Sequence, residues 1–359
     1  MGKFKEKIYY LLQKNKTLGI LSYCFVRRND TDFVERVMGD TNDYSFLKVF
    51  HYGEENKGRT ICCINESEDK EGMFCQFLFL LLRLTYADQH GMVPYVYWGD
   101  THLCFEEDGV DGEKNAFLYY FNQVSEVVSI EKAANVFHCT CSYLPRIKES
   151  FHTFAYEYSD ECLDAMTEMI RKYIRFNTKT EEYLNQSFET LLSKTHLAEG
   201  DVKLLGVHYR GTDFKRQYNN HPVPLALENE INLVENVVRE KQYDYIFLAT
   251  DEAEAVKAFR DKFGEKLLVY EDVYRALEGD ESVAYSHSDR YKHKYNLGLE
   301  VIRDAFTLMK CDGLLGGISN VTISAQLMRK AWSSPYSDVV IVNQGYNHNE
   351  NAFADAVHV

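Results

Sequence analysis

Apolar residues in this chain recur in short blocks whose spacing alternates between strand-like and helix-like. Residues 59–64 predict a buried strand, and the apolar segment 73–91 predicts a helix that Gly91 ends. Residues 93–98 predict the next strand. A strand, a helix and a second strand in this order indicate a βαβ unit, and therefore a parallel sheet.

The second half of the chain repeats this alternation. It predicts strands at residues 202–207, 245–250, 267–270 and 313–316. It predicts helices at residues 225–241, 252–263, 297–309 and 321–332. A long helical passage at 158–195 separates the halves, so we predict two Rossmann-like, doubly wound α/β domains that face a cleft. Their predicted bounds are 1–195 and 196–335, with 336–359 as a C-terminal tail.

Bulk composition agrees with a globular protein that has two cores. The 359 residues exceed what one hydrophobic core usually organises, and 45% of them are hydrophobic. The net charge of −15 argues against a nucleic-acid partner, because neutralising many phosphates needs a broad basic surface. A small anionic ligand is compatible with this charge where basic residues are concentrated locally.

Residues 1–28 are strongly basic, with seven Lys or Arg and one Glu. The pattern favours a terminal helix with a solvated basic face, and the alternative is a helix that lies on an anionic membrane. No apolar run reaches the roughly 18 to 20 residues of a membrane-spanning helix, and the start lacks the features of a signal peptide. We therefore predict a cytoplasmic protein and leave peripheral contact with the inner face of the membrane open.

Cysteine usage argues against a disulfide framework. The nine cysteines are an odd number, and Cys62 and Cys63 lie in apolar surroundings, which indicates reduced, buried thiols. His138, Cys139 and Cys141 offer three metal ligands, but no second cluster has the spacing of a zinc site. We therefore predict no metal and no cofactor, with a zinc enzyme at these three residues as a rival interpretation.

The segment LLGVHYRGTDF, residues 204–214, carries a strand into His208 and Arg210. The guanidinium of Arg210 presents a planar fork of donors to a phosphate or carboxylate. An arginine in an interdomain salt bridge is the alternative.

The segment GGISNVT, residues 316–322, leads from a strand into a helix. Glycines admit a ligand close to the backbone, and the first-turn amides with the Ser319 and Thr322 hydroxyls suit an anion. Ordinary N-capping by Ser319 or Asn320 is the alternative.

Two further features lie beside these segments. In LATD, residues 248–251, Asp251 ends a strand where an acid often contacts a ribose or base, although it also suits a helix cap. The loop 214–224 contains Lys215, Arg216 and His221, and four basic against two acidic residues give the window 201–216 a net charge of +2.

Two anion-binding ends in one half of the chain indicate a diphosphate as ligand, and hence a nucleotide. Both GxxxxGK[ST] and GxGxxG are absent, which favours a nucleotide-sugar glycosyltransferase of the GT-B type.

These motifs resemble those of the GDP-fucose-dependent fucosyltransferase superfamily, which includes nodulation and animal α-1,6-fucosyltransferases and protein O-fucosyltransferases. GVHYRGTDFK is similar to the His-x-Arg motif, and IFLATDE and CDGLLGGISNVTISAQLMR are similar to the second and third donor-domain motifs. GMFCQFLFLLLRLTYADQHGMVPYVYW and NAFLYYFNQVSE resemble the segments that line the cleft opposite the donor in bacterial members. The resemblance covers residues 60–330.

The resemblance implies an inverting, metal-independent transfer of fucose from GDP-fucose. Arg210 would bind the β-phosphate and stabilise the leaving diphosphate, while groups at the helix N-terminus would add donors. His208 and Asp251 would lie against the nucleoside. The donor-binding residues implied in this way are His208, Arg210, Gly211, Asp251, Ser319, Asn320 and Thr322.

One position departs from the α-1,6 enzymes, which carry a second arginine where this chain has Gly211. The general base is open, because Asp213 suits either proton abstraction or a hydrogen bond within a tight turn, and His221 is either a base or a loop histidine. The candidate catalytic residues are therefore Arg210, Asp213 and His221, and the linkage is not predicted.

Aromatic and polar residues of the first half are candidates for the acceptor side, because sugars stack on aromatic faces. They are Gly72, Phe74, Tyr97, Trp98, Asn115, Tyr119 and Tyr120. Helix packing is the alternative for Tyr119 and Tyr120.

The sequence thus predicts a cytoplasmic fucosyltransferase with GDP-fucose as donor substrate and a glycan or lipid-linked oligosaccharide as acceptor, in polysaccharide biosynthesis. One rival keeps the mechanism and uses another GDP-sugar. Another rival is a non-catalytic nucleotide-sugar or glycan-binding protein of the same fold, which the missing second arginine favours.

Overall fold

A computed structural model describes the protein over residues 15–27, 49–66, 71–139, 160–196, 202–212, 217–219, 221–277 and 282–348. The chain divides into two compact units. One comprises Met1–Thr60 and Lys132–Phe137, and the other comprises Ile61–Glu131 and His138–Val359.

The described elements include the alternating strands and helices that the sequence predicts, together with strands at 49–50, 136–139 and 338–342 that it does not predict. The strands are β1 (Val49–Phe50), β2 (Ile61–Asn65), β3 (Val93–Tyr97), β4 (Val136–Cys139), β5 (Leu204–Tyr209), β6 (Tyr245–Thr250), β7 (Leu267–Leu268), β8 (Gly313–Gly317) and β9 (Asp338–Val342). The α-helices are α1 (Lys16–Val26), α2 (Met73–Gln89), α3 (Asp160–Tyr173), α4 (Thr178–Leu192), α5 (Leu227–Lys241), α6 (Ala253–Phe263), α7 (His293–Lys310) and α8 (Asn320–Trp332). Two short 3-10 turns occupy Gly264–Lys266 and Val283–Tyr285.

The first half of the large unit contains the predicted βαβ arrangement. Strands β2 and β3 pair in parallel, from Ile61 opposite Val93 to Asn65 opposite Tyr97, and α2 connects them. Helix α2 is buried along most of its length because α3 and α8 pack against it as well as the sheet. This surrounding contact explains why its sequence is apolar on every face rather than along one stripe.

The second half forms a five-stranded parallel sheet with the order β7-β6-β5-β8-β9. Strands β5 and β6 are buried at every residue, as expected for central strands covered on both faces. The chain runs outward from β5 to β7 and then returns to β8 on the other side of β5. The strand order therefore reverses between β5 and β8, and sheets of this kind bind ligands beyond the carboxyl ends of the strands at that point.

Helix α7 begins against residues of the first half. Glu106 Oε1 accepts a hydrogen bond from the Tyr295 amide at 3.0 Å, and the Tyr120 hydroxyl donates to the Tyr295 carbonyl at 2.8 Å. The Tyr120 and Tyr295 rings stack with centroids 5.4 Å apart, and a Cβ at Gly298 would overlap the Tyr120 hydroxyl. Tyr120 is fully buried by these contacts, so it has the packing role that was the alternative to acceptor binding.

Strand β9 lies inside the segment 336–359, which the sequence analysis treats as a tail. It pairs in parallel with β8, from Asp338 opposite Gly313 to Val342 opposite Gly317. The division into domains 1–195 and 196–335, facing a cleft, stays a prediction. Among the helices in the described part of the chain, none has the combined length and apolarity that crossing a bilayer requires.

Candidate functional site

Three buried polar side chains meet where β5 and β8 end. His208 is the penultimate residue of β5, and its Nδ1 lies 2.9 Å from Thr322 Oγ1 and 3.1 Å from Ser319 Oγ. The two hydroxyls lie 3.1 Å from each other. The contacts join β5 to the N-terminus of α8 at the point where the strand order reverses.

The environment of His208 keeps its imidazole neutral. Burial lowers the pKa of His208 to about 4, an effect that the Arg210 charge reinforces and the Asp251 charge opposes. In a neutral imidazole Nδ1 is either a donor or an acceptor, and each hydroxyl can take the complementary role. His208 therefore acts as a fixed connector rather than as a cation.

Ser319 is the N-cap of α8, which confirms the capping interpretation for this residue. Its Oγ accepts a hydrogen bond from the Thr322 amide at 3.2 Å. The amides of Asn320 and Val321 precede the i→i−4 ladder of the helix and point out of its end. Phosphate binding by the Ser319 and Thr322 hydroxyls stays a prediction, because here both engage each other and His208. Among the described residues, apart from its own chain neighbours, no atom lies within 4 Å of the position that a Cβ at Gly317 would take.

Arg210 and Asp251 form an ion pair at the ends of β5 and β6. Arg210 Nη1 lies 3.2 Å from Asp251 Oδ2, with the two side chains 27% and 12% exposed. Asp251 also accepts hydrogen bonds from the Gly211 amide at 3.2 Å and the Thr212 hydroxyl at 2.7 Å. These bonds fix the segment that carries Arg210.

Burial of Asp251 opposes ionisation, but the Arg210 charge and the two hydrogen bonds outweigh it and lower the pKa of Asp251 below its ordinary value. The Asp251 carboxylate is therefore charged and directed at residues 210–212. Contact with a nucleoside stays a prediction. This ion pair joins two strand ends at one sheet edge, and a salt bridge from Arg210 to another domain stays the untested alternative.

Gly211 is enclosed by Glu252, which follows Asp251. A Cβ at position 211 would overlap the Glu252 carboxyl group, and Glu252 is only 7% exposed. The space that a second arginine needs is therefore filled by an acidic side chain. Sequence reasoning did not single out Glu252, because its approach to Gly211 depends on the path of two loops.

The loop of His221 is held by the C-terminal segment. The His221 carbonyl accepts hydrogen bonds from the Asn347 amide at 2.9 Å and from its side-chain nitrogen at 3.2 Å. The His221 ring packs edge-on against Tyr218 with centroids 5.5 Å apart. Asp213, Lys215 and Arg216 lie outside the described residues, so the choice between Asp213 and His221 as base stays open.

Asn115, an acceptor-side candidate, holds the backbone of the first half together. Its Oδ1 accepts from the Trp98 amide at 2.9 Å, and its Nδ2 donates to the Val96 carbonyl at 2.7 Å. Asn115 is 3% exposed and Trp98 is fully buried. Both residues therefore stabilise the end of β3 in this conformation.

The other acceptor-side candidates differ in exposure. Phe74 and Tyr119 are 5% and 4% exposed, whereas Tyr97 is 39% exposed. Gly72 is the N-cap of α2 and has open space around its α-carbon. A buried ring offers no face to a sugar, so Tyr97 and Gly72 are the accessible members of this set, and the acceptor assignment stays a prediction.

Two of the three residues of the zinc interpretation are described, so that interpretation stays untested. Cys139 is fully buried, and His138 Nδ1 lies 3.5 Å from Asn65 Oδ1. Cys141 lies outside the described residues. Within the ranges that the structure describes, no group of three or more His, Cys, Asp or Glu is placed to hold a metal ion.

Comparisons with known proteins find similarity to solved fucosyltransferase structures. NodZ alpha-1,6-fucosyltransferase soaked with GDP-fucose is 14% identical, with 75% of this chain and 92% of that chain covered at a TM-score of 0.46. The same enzyme co-crystallized with GDP is 13% identical, and the match covers 74% of this chain and 91% of that chain at a TM-score of 0.45. POFUT1 in complex with GDP is 9% identical, and the match covers 80% of this chain and 99% of that chain at a TM-score of 0.47. No protein-family model and no curated protein sequence matches the chain. The functional interpretation of the site therefore depends on the contacts and charges of the residues described above.

Proposed function

We propose that the chain is a glycosyltransferase that moves fucose from GDP-fucose to a glycan or lipid-linked oligosaccharide, with inversion and without a metal. The observation that carries the proposal is the contact of His208 with Ser319 and Thr322. It joins the strand that leads into Arg210 to a helix N-terminus at the crevice between β5 and β8. A guanidinium and a helix N-terminus at one crevice suit two linked phosphates.

The choice of GDP-fucose is supported by the resemblance of GVHYRGTDFK, IFLATDE and CDGLLGGISNVTISAQLMR to the fucosyltransferase motifs. The proposed arrangement is of the GT-B type, with the donor bound by residues of 196–335 and the acceptor approached from residues of the first half.

The proposed reaction breaks the bond between the fucosyl anomeric carbon and the β-phosphate oxygen. Negative charge then grows on the departing GDP, where Arg210 and the first amides of α8 stabilise it. Asp251 keeps Arg210 in place through their ion pair. The acceptor hydroxyl attacks from the opposite face of the sugar and gives its proton to a base, for which Asp213 and His221 are the candidates.

Calorimetric titration with GDP and GDP-fucose tests the donor site. Arg210→Ala removes a charge-assisted contact, so GDP affinity should fall by roughly 1.5–3 kcal/mol. Arg239→Ala removes the same charge from the exposed face of α5 and serves as the matched control. Unchanged GDP affinity in Arg210→Ala, or equal losses in both variants, would remove Arg210 from the site.

A non-catalytic nucleotide-sugar binder is the second candidate, favoured by Glu252 occupying the space of a second arginine. It predicts GDP binding without turnover for every acceptor offered. Release of GDP from GDP-fucose, compared with release from GDP-mannose, separates this candidate and the use of another GDP-sugar from fucosyl transfer.

We also propose that α1 brings the protein to the cytoplasmic face of an anionic membrane, where lipid-linked acceptors are found. Leu18, Leu21 and Phe25 recur at helical spacing and are 47%, 60% and 66% exposed. Residues 1–28 carry seven basic residues and one acidic residue. Exposed apolar side chains within a basic segment are typical of helices that lie in the lipid interface.

A further inference from the structure

A second concave site lies apart from the residues of the candidate donor site. A cavity of about 420 Å³ opens between helix α4 and the segment that follows β7. Its volume is within the range of about 300–1,000 Å³ that small-molecule sites occupy. None of the predicted donor-binding residues lines it.

Arg303 of α7 forms a preorganised part of the cavity lining. Its side chain is 3% exposed, and its guanidinium carbon lies 4.0 Å from the centroid of the Tyr270 ring and 5.4 Å from that of Tyr183. Nη1 and Nη2 donate to the two Asp272 oxygens at 3.0 and 2.7 Å. Arg303 Nε is buried and has no hydrogen-bond partner among the described residues. The stacked rings and the bidentate pair hold Asp272 in one orientation.

Asp272 retains capacity to accept hydrogen bonds from a ligand. Its side chain is 70% exposed although Arg303 occupies one position on each oxygen. A carboxylate has about four acceptor sites; Arg303 takes two of them and the Asp272 backbone amide also donates to the carboxylate, which leaves about one site for a ligand. The Asp272 carboxylate, held in one orientation by Arg303, can therefore accept a hydrogen bond from a ligand at the edge of the cavity.

The opposite wall comes from one face of α4. Tyr183, Gln186 and Thr190 follow each other at helical spacing and line the cavity. Gln186 and Thr190 are exposed, so their amide and hydroxyl groups are available as donors and acceptors.

The lining is electrically balanced. It contains two basic side chains, Lys194 and Arg303, and two acidic side chains, Glu271 and Asp272. A phosphate or another anion would meet both carboxylates, so the lining favours an uncharged ligand.

We propose that this cavity binds a neutral saccharide. Neighbouring hydroxyls of a sugar donate and accept together, and they match a carboxylate beside an amide and a hydroxyl. The half-buried Tyr183 side chain supplies apolar surface for the carbon–hydrogen face of the ring. The inference depends on the cavity alone, and in a glycosyltransferase such a site would hold a remote part of the acceptor glycan.

Saturation-transfer NMR on the full chain with maltose, lactose and cellobiose tests the proposal. At least one of these sugars should receive saturation from the protein. The double variant Gln186→Ala, Thr190→Ala removes two side chains that bind the sugar, and affinity should fall roughly tenfold, which is about 1.4 kcal/mol. Asn185→Ala, Glu189→Ala changes two exposed residues of the same helix that do not line the cavity, and should bind as the wild type does.

Asp272→Asn provides an independent variant at an exposed position and should also weaken binding. Addition of GDP should leave the sugar signal unchanged. Arg210→Ala should bind GDP more weakly while it retains the sugar. Failure of this site and failure of the donor site are therefore distinguishable. Absence of transfer to all three sugars, displacement of the sugar by GDP, or equal affinity in both double variants would overturn the proposal.

Discussion

The Nδ1 atom of His208 lies 2.9 Å from the Thr322 hydroxyl, and this contact ties the end of β5 to the first turn of α8. Thr322 is 1% exposed and His208 is 5% exposed, so water does not replace the bond when it is lost. Thr322→Val keeps the shape of the side chain and removes its hydroxyl. We expect a loss of about 1–3 kcal/mol in the free energy of unfolding, measured by urea denaturation.

Ser324 provides the control for this prediction. It lies on the same helix and is fully buried, but its hydroxyl has no hydrogen-bond partner among the described residues. Ser324→Ala therefore removes an uncompensated polar group and should leave stability unchanged or higher. Equal losses in Thr322→Val and Ser324→Ala would show that the His208 contact contributes nothing specific.

Glu230, in the first turn of α5, should make stability depend on pH. It is 2% exposed, and burial raises the pKa of its carboxyl from an ordinary 4.5 to about 7. Between these values the unfolded chain releases the proton and the folded chain retains it, so stability falls as pH rises from 4.5 to 7. Glu230→Gln should therefore be more stable than the wild type at pH 8, by about 3 kcal/mol, and should match it near pH 4.5.

Denaturant unfolding at both pH values measures this difference. Glu228→Gln alters an exposed acid in the same helical turn and should show no such change between the two conditions. A pH-independent gap between Glu230→Gln and the wild type would contradict the buried-carboxyl explanation.

Gly211 should tolerate no side chain while Glu252 is present. A Cβ at this position overlaps the Glu252 carboxyl, so Gly211→Ala should destabilise the protein by about 1–3 kcal/mol, as overpacking of enclosed sites does. Gly317→Ala is the control, because no atom in the described part of the chain, apart from its neighbours in sequence, lies within 4 Å of its Cβ position. The loss of stability in this variant should stay within about 0.5 kcal/mol.

A double-mutant cycle with Glu252→Ala tests the cause. When the carboxyl is absent, the added methyl group at 211 should cost less, so the combined loss should be smaller than the sum of the single losses. Strict additivity would place the origin of the Gly211 requirement elsewhere.

The fold was predictable where burial imposes a simple pattern. Strand β6 occupies Tyr245–Thr250, the same residues that the sequence predicts, because a central parallel strand is apolar at nearly every position. Strand β9 was not predicted, although the β-branched run VVIV at 339–342 favours a strand. It lies at the edge of the sheet, with Val339 46% exposed and Ile341 38% exposed.

The candidate site was predictable to the extent that topology determines it. His208 lies near the end of β5 and Thr322 follows β8, and these parallel strands end at one sheet edge, so their proximity follows from strand order. The ion pair of Arg210 with Asp251 and the enclosure of Gly211 by Glu252 depend on how loops turn after the strands end. Periodicity carries no information about those turns, and neither pairing was predicted.

Membrane contact through α1 should depend on its exposed apolar stripe. Leu21 and Phe25 are 60% and 66% exposed and lie four residues apart, on one side of the helix. Replacing both with Glu places two charges in the lipid interface and lowers the net charge of residues 1–28 from +6 to +4, so binding to vesicles of phosphatidylglycerol and phosphatidylcholine should be lost. Co-sedimentation of the full chain with these vesicles measures the bound fraction.

Because electrostatic attraction contributes, the wild type should also release from the vesicles as salt is raised. A variant with Ser22→Ala, a less exposed position of the same helix, should bind as the wild type does. Vesicle binding that survives both glutamates would show that α1 does not provide the contact, and equal binding to uncharged vesicles would show that the basic residues play no part.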